Sequence, residues 1–318
     1  MSEVSRKDVV EAAERIAGEV VRTPLVEANI RGERVWLKCE CLQTGGAFKL
    51  RGATNRLLQL DEKQRRCGVV AFSSGNHARG VAIAARRLGI RATIVMPSDA
   101  PAVKVEGTRA EGAEIVFYER NRENREAIAA KLAATTGGTV VPSFDDPMIV
   151  AGQGTVGLEI LDQLAQASAA GPKRIVVPAG GGGLASGIAL ACPDAEIVCV
   201  EPEGWDDLGR SLELGEIVPV SADAPPTLCD ALQTPRISPI TFGILRERGA
   251  RAVAVGETAV AEAMRFAWTE HQLVVEPGGA VALAALLSGM VEAEAGTVVL
   301  LSGGNVDPTL HARILAGR

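Results

Sequence analysis

Short apolar runs rich in valine and isoleucine recur along the chain, and stretches of helical spacing separate them. Runs of this kind at 35–40, 68–74, 92–97, 114–118, 174–179, 196–202, 251–255 and 297–302 predict strands. Apolar positions three and four apart at 77–89, 123–137, 153–166, 260–273 and 279–290 predict helices between them. A strand, helix, strand order of this type predicts an α/β fold with mostly parallel sheets. The runs IVVPA and TVVLLS are apolar on both faces, as expected of strands covered by helices on both sides. The N-terminal stretch predicts an amphipathic helix with Ser5 as its N-cap.

No Pro/Ser-rich linker, repeat or low-complexity tract divides the 318 residues, a length that suggests two domains. The least regular stretch is 203–250. A net charge of −6 and an aromatic content of 3% offer nothing to a phosphate backbone or to stacked bases, so nucleic acid is excluded as a partner. No apolar run reaches the length of a membrane span, and a cytoplasmic protein is expected. The six cysteines lack the spacing of a zinc site and read as buried or half-buried thiols.

Three loops carry candidate chemistry. PAGGGGLASG (178–187) follows a predicted strand and opens a helix. Bare amides at a helix start form a cradle for a phosphate. A tight turn would need only one or two of those glycines. A dinucleotide stays open as the guest, with Glu201 placed as a ribose-binding acid, although no GxGxxG is present. TGGAFKLRGA (44–53) sets Lys49 between Phe48 and Leu50, apolar company that favours a neutral, nucleophilic amine. FSSGNHARG (72–80) ends a strand and begins a helix, and could grip a carboxylate or simply cap that helix. A phosphate cradle, a reactive amine and a carboxylate loop together suit a pyridoxal-phosphate enzyme acting on an amino acid.

With KCECLQTGGAFKLRGA, SSGNHARGVA, AGQGT, PAGGGGLASG, EPGGA and LLSGGNVD in that order, the chain resembles the fold type II pyridoxal-phosphate enzymes. Within them it is similar to the threonine/serine dehydratases and serine racemase. The resemblance implies a two-domain α/β architecture like the tryptophan synthase β-subunit. A small domain (45–142) would interrupt a large cofactor-binding domain (1–44 and 143–318). Lys49 would hold the cofactor as a Schiff base and move the α-proton. Phe48 would pack beside the ring, and Gly180, Gly181, Gly182, Gly183 and Leu184 would bind its phosphate. Asn76 would meet the ring hydroxyl and Ser302 the ring nitrogen. Ser73, Asn76 and His77 would hold the substrate carboxylate.

Further matches point toward the racemase-like branch. Ser74 would be the second acid/base. Glu201, the Trp205 carbonyl and Asp207 would bind Mg²⁺ or Ca²⁺, unless EPEGWDD is only an acidic turn. Arg125 would be a substrate-side arginine, unless it is a helix-face charge. Around Lys49 the chain departs from the usual TGSFK, and EPGGA and the Cys229–Asp230–Ala231 triplet also depart. These departures touch substrate identity more than cofactor. The expected reaction is dehydration and deamination of L-threonine or L-serine to a 2-oxo acid and ammonia. The alternatives are a 3-hydroxyaspartate dehydratase, a serine racemase and, outside the family, a dinucleotide-dependent oxidoreductase or a silent binding protein. A homodimer is the expected assembly.

Overall fold

The structure is a computed structural model that describes residues 4–317 apart from Ser74 and Asn121. Its strands are β1 (Leu25–Ile30), β2 (Glu33–Lys38), β3 (Val69–Phe72), β4 (Ala92–Pro97), β5 (Glu114–Tyr118), β6 (Thr139–Val140), β7 (Arg174–Pro178), β8 (Glu196–Pro202), β9 (Arg251–Val255) and β10 (Thr297–Leu300). They form a six-stranded sheet in the order β1-β2-β10-β7-β8-β9 and a four-stranded sheet in the order β5-β4-β3-β6. Every pairing is parallel except the β1–β2 hairpin. β10 is buried along its whole length, and β7 and β8 along all but their first residue, so both faces are covered.

The sequence pattern misses two strands. In β1, Glu27 and Asn29 alternate with inward residues and break the apolar run, as befits an edge strand. Its turn, Arg31–Gly32, has positive φ at both positions (55° and 87°), which matches the hairpin turn that follows strand twist without carrying an Asn-Gly signal. β6 is two residues long and too short to show a period.

Helix Pro147–Gln166 starts well before the predicted residue 153, because the Asp146 side chain accepts the Met148 and Ile149 amides and Pro147 suits a first turn. Ser5 does stand at the N-cap of helix Arg6–Arg15, where its amide donates to Asp8 (2.8 Å). Five of the six cysteines are buried and Cys67 is half-buried, all as free thiols.

Helix Lys49–Leu58 is not predicted by the sequence pattern. It is held in two ways that a period of 3.6 does not reveal. Its Gly52 meets Gly152 of helix Pro147–Gln166 so closely that a Cβ at Gly152 would lie 2.6 Å from the Gly52 Cα. The same long helix crosses helix Gly183–Ala191 at Gly154, where a Cβ would lie 2.6 Å from the Gly187 carbonyl. These are backbone-on-backbone contacts, and Gly152 and Gly154 are the glycines of AGQGT.

The second tie is a buried charge cluster. Arg51 donates to Glu40 (2.8 Å) and to Glu159 (2.6 Å), and Glu159 also receives Lys38 (2.6 Å). Arg51, Glu40 and Lys38 are fully buried. Charges this deep persist only when paired and hydrogen-bonded. The cluster fastens the helix to the end of β2 and to helix Pro147–Gln166.

Candidate active site

A cavity opens at the carboxyl ends of β3 and β7, where open parallel sheets place their ligands. One wall comes from the segment around the four-stranded sheet: Phe72, Ser73, Asn76, His77, Lys104 and Arg125. The opposite wall comes from the six-stranded side: Gly180 to Leu184, Asp230 to Thr234, and Ser302. Phe48 and Lys49 line the same space. The residues singled out for cofactor and for substrate carboxylate thus share one cavity, and Arg125 joins them. Ser74 lies outside the described residues.

Lys49 is placed by interlocked loops. Ala47 and Gly303 form an antiparallel bridge, the Phe48 amide donates to the Ser302 carbonyl (3.2 Å), and the Gly304 amide donates to the Gly46 carbonyl (2.8 Å). This backbone zipper fixes the lysine loop against the loop that follows β10. The Lys49 amine donates to the Ser143 carbonyl (3.2 Å) and lies 5.0 Å from the centre of the Phe48 ring. Loss of solvent pulls its pKa down to about 8.

The glycine loop leaves β7 at Pro178 and enters helix Gly183–Ala191 through Gly182, whose φ of 79° is left-handed. The Ser186 amide, bonded to the Gly182 carbonyl, is the first tied into the helix, so the amides before it point outward. Protein neighbours also demand these glycines. A Cβ at Gly181 would sink into the Phe144 ring, and one at Gly180 would lie 2.9 Å from Thr234 Oγ1. The loop therefore has no room for side chains even before a ligand enters.

In the FSSGNHARG loop, His77 behaves differently from the expectation. Its Nε2–H donates to the Val141 carbonyl (2.9 Å), and Nδ1 is buried without a partner. Burial, with the nearby Lys49 charge, pulls its pKa down to about 3, so the ring stays neutral. A neutral ring whose one N–H is already used cannot donate to a carboxylate. What His77 offers a carboxylate is its backbone amide in the first turn of helix Asn76–Arg87. Asn76 uses both ends of its side-chain amide, donating to Glu276 and accepting from Asn305 (2.9 Å).

Arg125 opens helix Arg125–Thr136 and sits 5.6 Å over the Phe72 ring. An arginine on an aromatic face keeps its planar donors free for a carboxylate.

The acids of the expected metal loop are already engaged by backbone amides. Both oxygens of Glu201 accept amides, from Leu208 (3.0 Å) and Gly209 (2.9 Å), and Asp207 accepts the Ile237 amide (3.0 Å). Among the described residues no group of three or more His, Cys, Asp or Glu side chains gathers to hold a metal ion. The two carboxylates anchor helix Asp207–Leu214 and the strand end before it. The expected Mg²⁺ or Ca²⁺ at Glu201, the Trp205 carbonyl and Asp207 gains no support from this arrangement.

Sequence reasoning misses Lys104, whose amine is paired with Asp230 (2.6 Å) and Glu276 (3.2 Å) at the cavity wall. Nothing in its helix marks it, since its partners are distant in the chain. Ser143 and Phe144 escape notice for the same reason.

Comparison with known proteins agrees with this geometry. The family model described as "Pyridoxal-phosphate dependent enzyme" matches residues 16–303. The chain is 44% identical to L-threo-3-hydroxyaspartate ammonia-lyase of Pseudomonas sp, over 98% of this chain and 99% of the relative. The crystal structure of the T.th. threonine deaminase superposes with a TM-score of 0.88 at 42% identity, covering 95% of this chain and 99% of that one. Maize serine racemase superposes with a TM-score of 0.90 at 35% identity, covering 99% and 97%. Its fold is that of these α/β enzymes, and the chain belongs to the pyridoxal-phosphate dependent enzyme family.

Proposed function

We propose that the protein is an ammonia-lyase for β-hydroxy amino acids, and that 3-hydroxyaspartate is its preferred substrate over threonine and serine. The observation that carries the preference is Arg125, which stands over Phe72 in the same cavity as Lys49. The similarity to a hydroxyaspartate ammonia-lyase supports it.

The residues fit pyridoxal phosphate. The glycine loop offers outward amides with no Cβ to block them, and a half-buried amine with a pKa lowered to about 8 faces the same space. When bound, that cofactor supplies an electron sink for bonds at the amino acid's Cα. Lys49 Nζ, neutral for much of the time near pH 8, takes the Cα proton. Ser302, which lines the cavity, would offer the ring nitrogen a neutral hydroxyl, a partner that does not hold a proton there as a carboxylate would. Ser73 and the amides of Asn76 and His77 hold the α-carboxylate. Arg125 receives the second carboxylate. The β-hydroxyl leaves with a proton as water, and the enamine released is hydrolysed to a 2-oxo acid and ammonia. Residues 45–142 act as a small domain that covers the site, and two chains form a homodimer.

The test is 2-oxo acid release from the loaded protein with L-threonine, L- and D-serine and the 3-hydroxyaspartate isomers. Lys49→Ala should abolish turnover with all of them. Arg125→Ala should raise KM for hydroxyaspartate roughly ten- to a hundredfold, the worth of a charged hydrogen bond, and leave threonine nearly unchanged. Equal losses on both substrates would remove Arg125 from substrate recognition. Racemised serine without 2-oxo acid would move the protein to the racemase reading.

A further inference from the structure

Asn76 sits in the middle of a hydrogen-bond chain with a cation at each end. Arg79 Nη1 donates to Asn305 Oδ1 (3.1 Å). Asn305 Nδ2 then donates to Asn76 Oδ1 (2.9 Å) and to the Gly45 carbonyl (2.8 Å). Asn76 Nδ2 donates to Glu276 Oε1, and Glu276 Oε2 takes the Lys104 amine (3.2 Å).

The order of donors in this chain has only one solution. A guanidinium carries donors and no acceptor. The atom of Asn305 that faces Arg79 must therefore be its oxygen, so its NH₂ faces Asn76. That in turn presents the oxygen of Asn76 to Asn305 and its NH₂ to Glu276. The backbone seals the chain: a Cβ at Gly46 would collide with Asn305, and one at Gly303 would collide with Glu276 and crowd Asn76. Asn76 and Glu276 are buried, so water cannot substitute for a lost partner at low cost.

We propose that Arg79 and Asn305 are positioning residues that fix the amide orientation of Asn76, so that its second N–H is held ready for the cofactor ring. A flipped Asn76 would set its oxygen against Glu276 and offer the ring no such donor. The relay draws on residues of the segment 45–142 and of the C-terminal loop at once, and neither Arg79 nor Asn305 lines the main cavity. It rests on the reading that this cavity holds pyridoxal phosphate with Asn76 toward its ring.

The experiment follows dissociation of pyridoxal phosphate from the loaded protein through loss of its visible band, in parent, Arg79→Met, Asn305→Asp and Arg79→Lys. Asn305→Asp keeps the shape and removes the donor to Asn76. Arg79→Met removes the charged donor from Asn305 Oδ1 and leaves the orientation of that amide to the Gly45 carbonyl alone. Both should bind the cofactor about tenfold more weakly, the worth of one hydrogen bond, with a displaced absorption maximum. Arg79→Lys, which still carries a donor, should return both properties to the parent. Melting of the cofactor-free proteins should agree across the set. The relay is overturned if Met and Asp variants keep the parent's affinity within about twofold and its band. It is equally overturned if the lysine variant is as weak as the methionine one. A parent that takes up no pyridoxal phosphate would instead refute the function on which the relay rests.

Discussion

Lys49 shows how much one residue's surroundings decide. An ordinary lysine amine has a pKa of 10.5, and burial with no carboxylate beside it brings this one to about 8. At pH 8 an unshifted lysine is only roughly 0.3% neutral, whereas here about half the molecules carry the nucleophilic form. The charged form is the one that burial penalises, so the neutral fraction grows as pH rises through 8 and is lost below it. The rate at which stripped protein takes up pyridoxal phosphate should therefore rise with pH and level off just above 8. A rate that climbs tenfold per pH unit up to 10 would show an unshifted amine. Apolar neighbours Phe48 and Leu50 make this lysine legible from sequence. The Ser143 carbonyl that receives it is not legible, because it lies 94 positions away in the chain. The same limit applies to His77, which the sequence offers as a carboxylate ligand. Only the fold reveals that Val141 already takes its N–H.

At the scale of elements, glycines set the site more than side chains do. Helix Lys49–Leu58, helix Pro147–Gln166 and helix Gly183–Ala191 stack through Gly52 on Gly152 and Gly154 on Gly187. Gly80 of helix Asn76–Arg87 packs on the first turn of the lysine helix, where a Cβ would lie 3.1 Å from the Leu50 nitrogen. The amine, the phosphate cradle and the carboxylate loop are thus aligned by contacts that a single methyl would separate. Gly152→Ala would push its Cβ into backbone that cannot step aside, and overpacking of this kind costs roughly 1–3 kcal/mol. We expect a lower melting temperature together with weaker cofactor binding, since the lysine helix moves away from the glycine loop. Normal cofactor affinity in a destabilised Gly152→Ala protein would separate the two effects and show that the stack serves stability alone. The order of strands and the strongest helices can be read from periodicity. AGQGT can be noticed in the sequence, but its purpose cannot, because periodicity reports which face is buried and not how near the next backbone comes.

For the whole molecule, the division we propose into 45–142 and the remainder follows the two sheets, and the cavity takes a wall from each. The ties between the parts differ in strength. Helix Lys49–Leu58 is fixed to the six-stranded side by backbone contact and by the fully buried Arg51–Glu40 pair. Helix Ala102–Ala110 is joined to that side through the Lys104 amine, which pairs with the buried Glu276 and with Asp230, itself partly open to solvent. The Asp230 arm of this tie adds less than buried backbone packing and can break and re-form. Rotation of the four-stranded sheet should therefore pivot near the Gly80–Leu50 contact and close at Lys104–Asp230. Domain closure of this sort would exclude water while the β-hydroxyl leaves. We expect solution scattering of the loaded protein to show compaction when succinate, an unreactive dicarboxylate, is added. Lys104→Met should expand the ligand-free protein and weaken that compaction, because the closing contact is gone while the Gly52–Gly152 joint is untouched. Equal dimensions in all these states would mean that the walls are rigidly joined, and that substrate reaches Lys49 through a cavity that does not close.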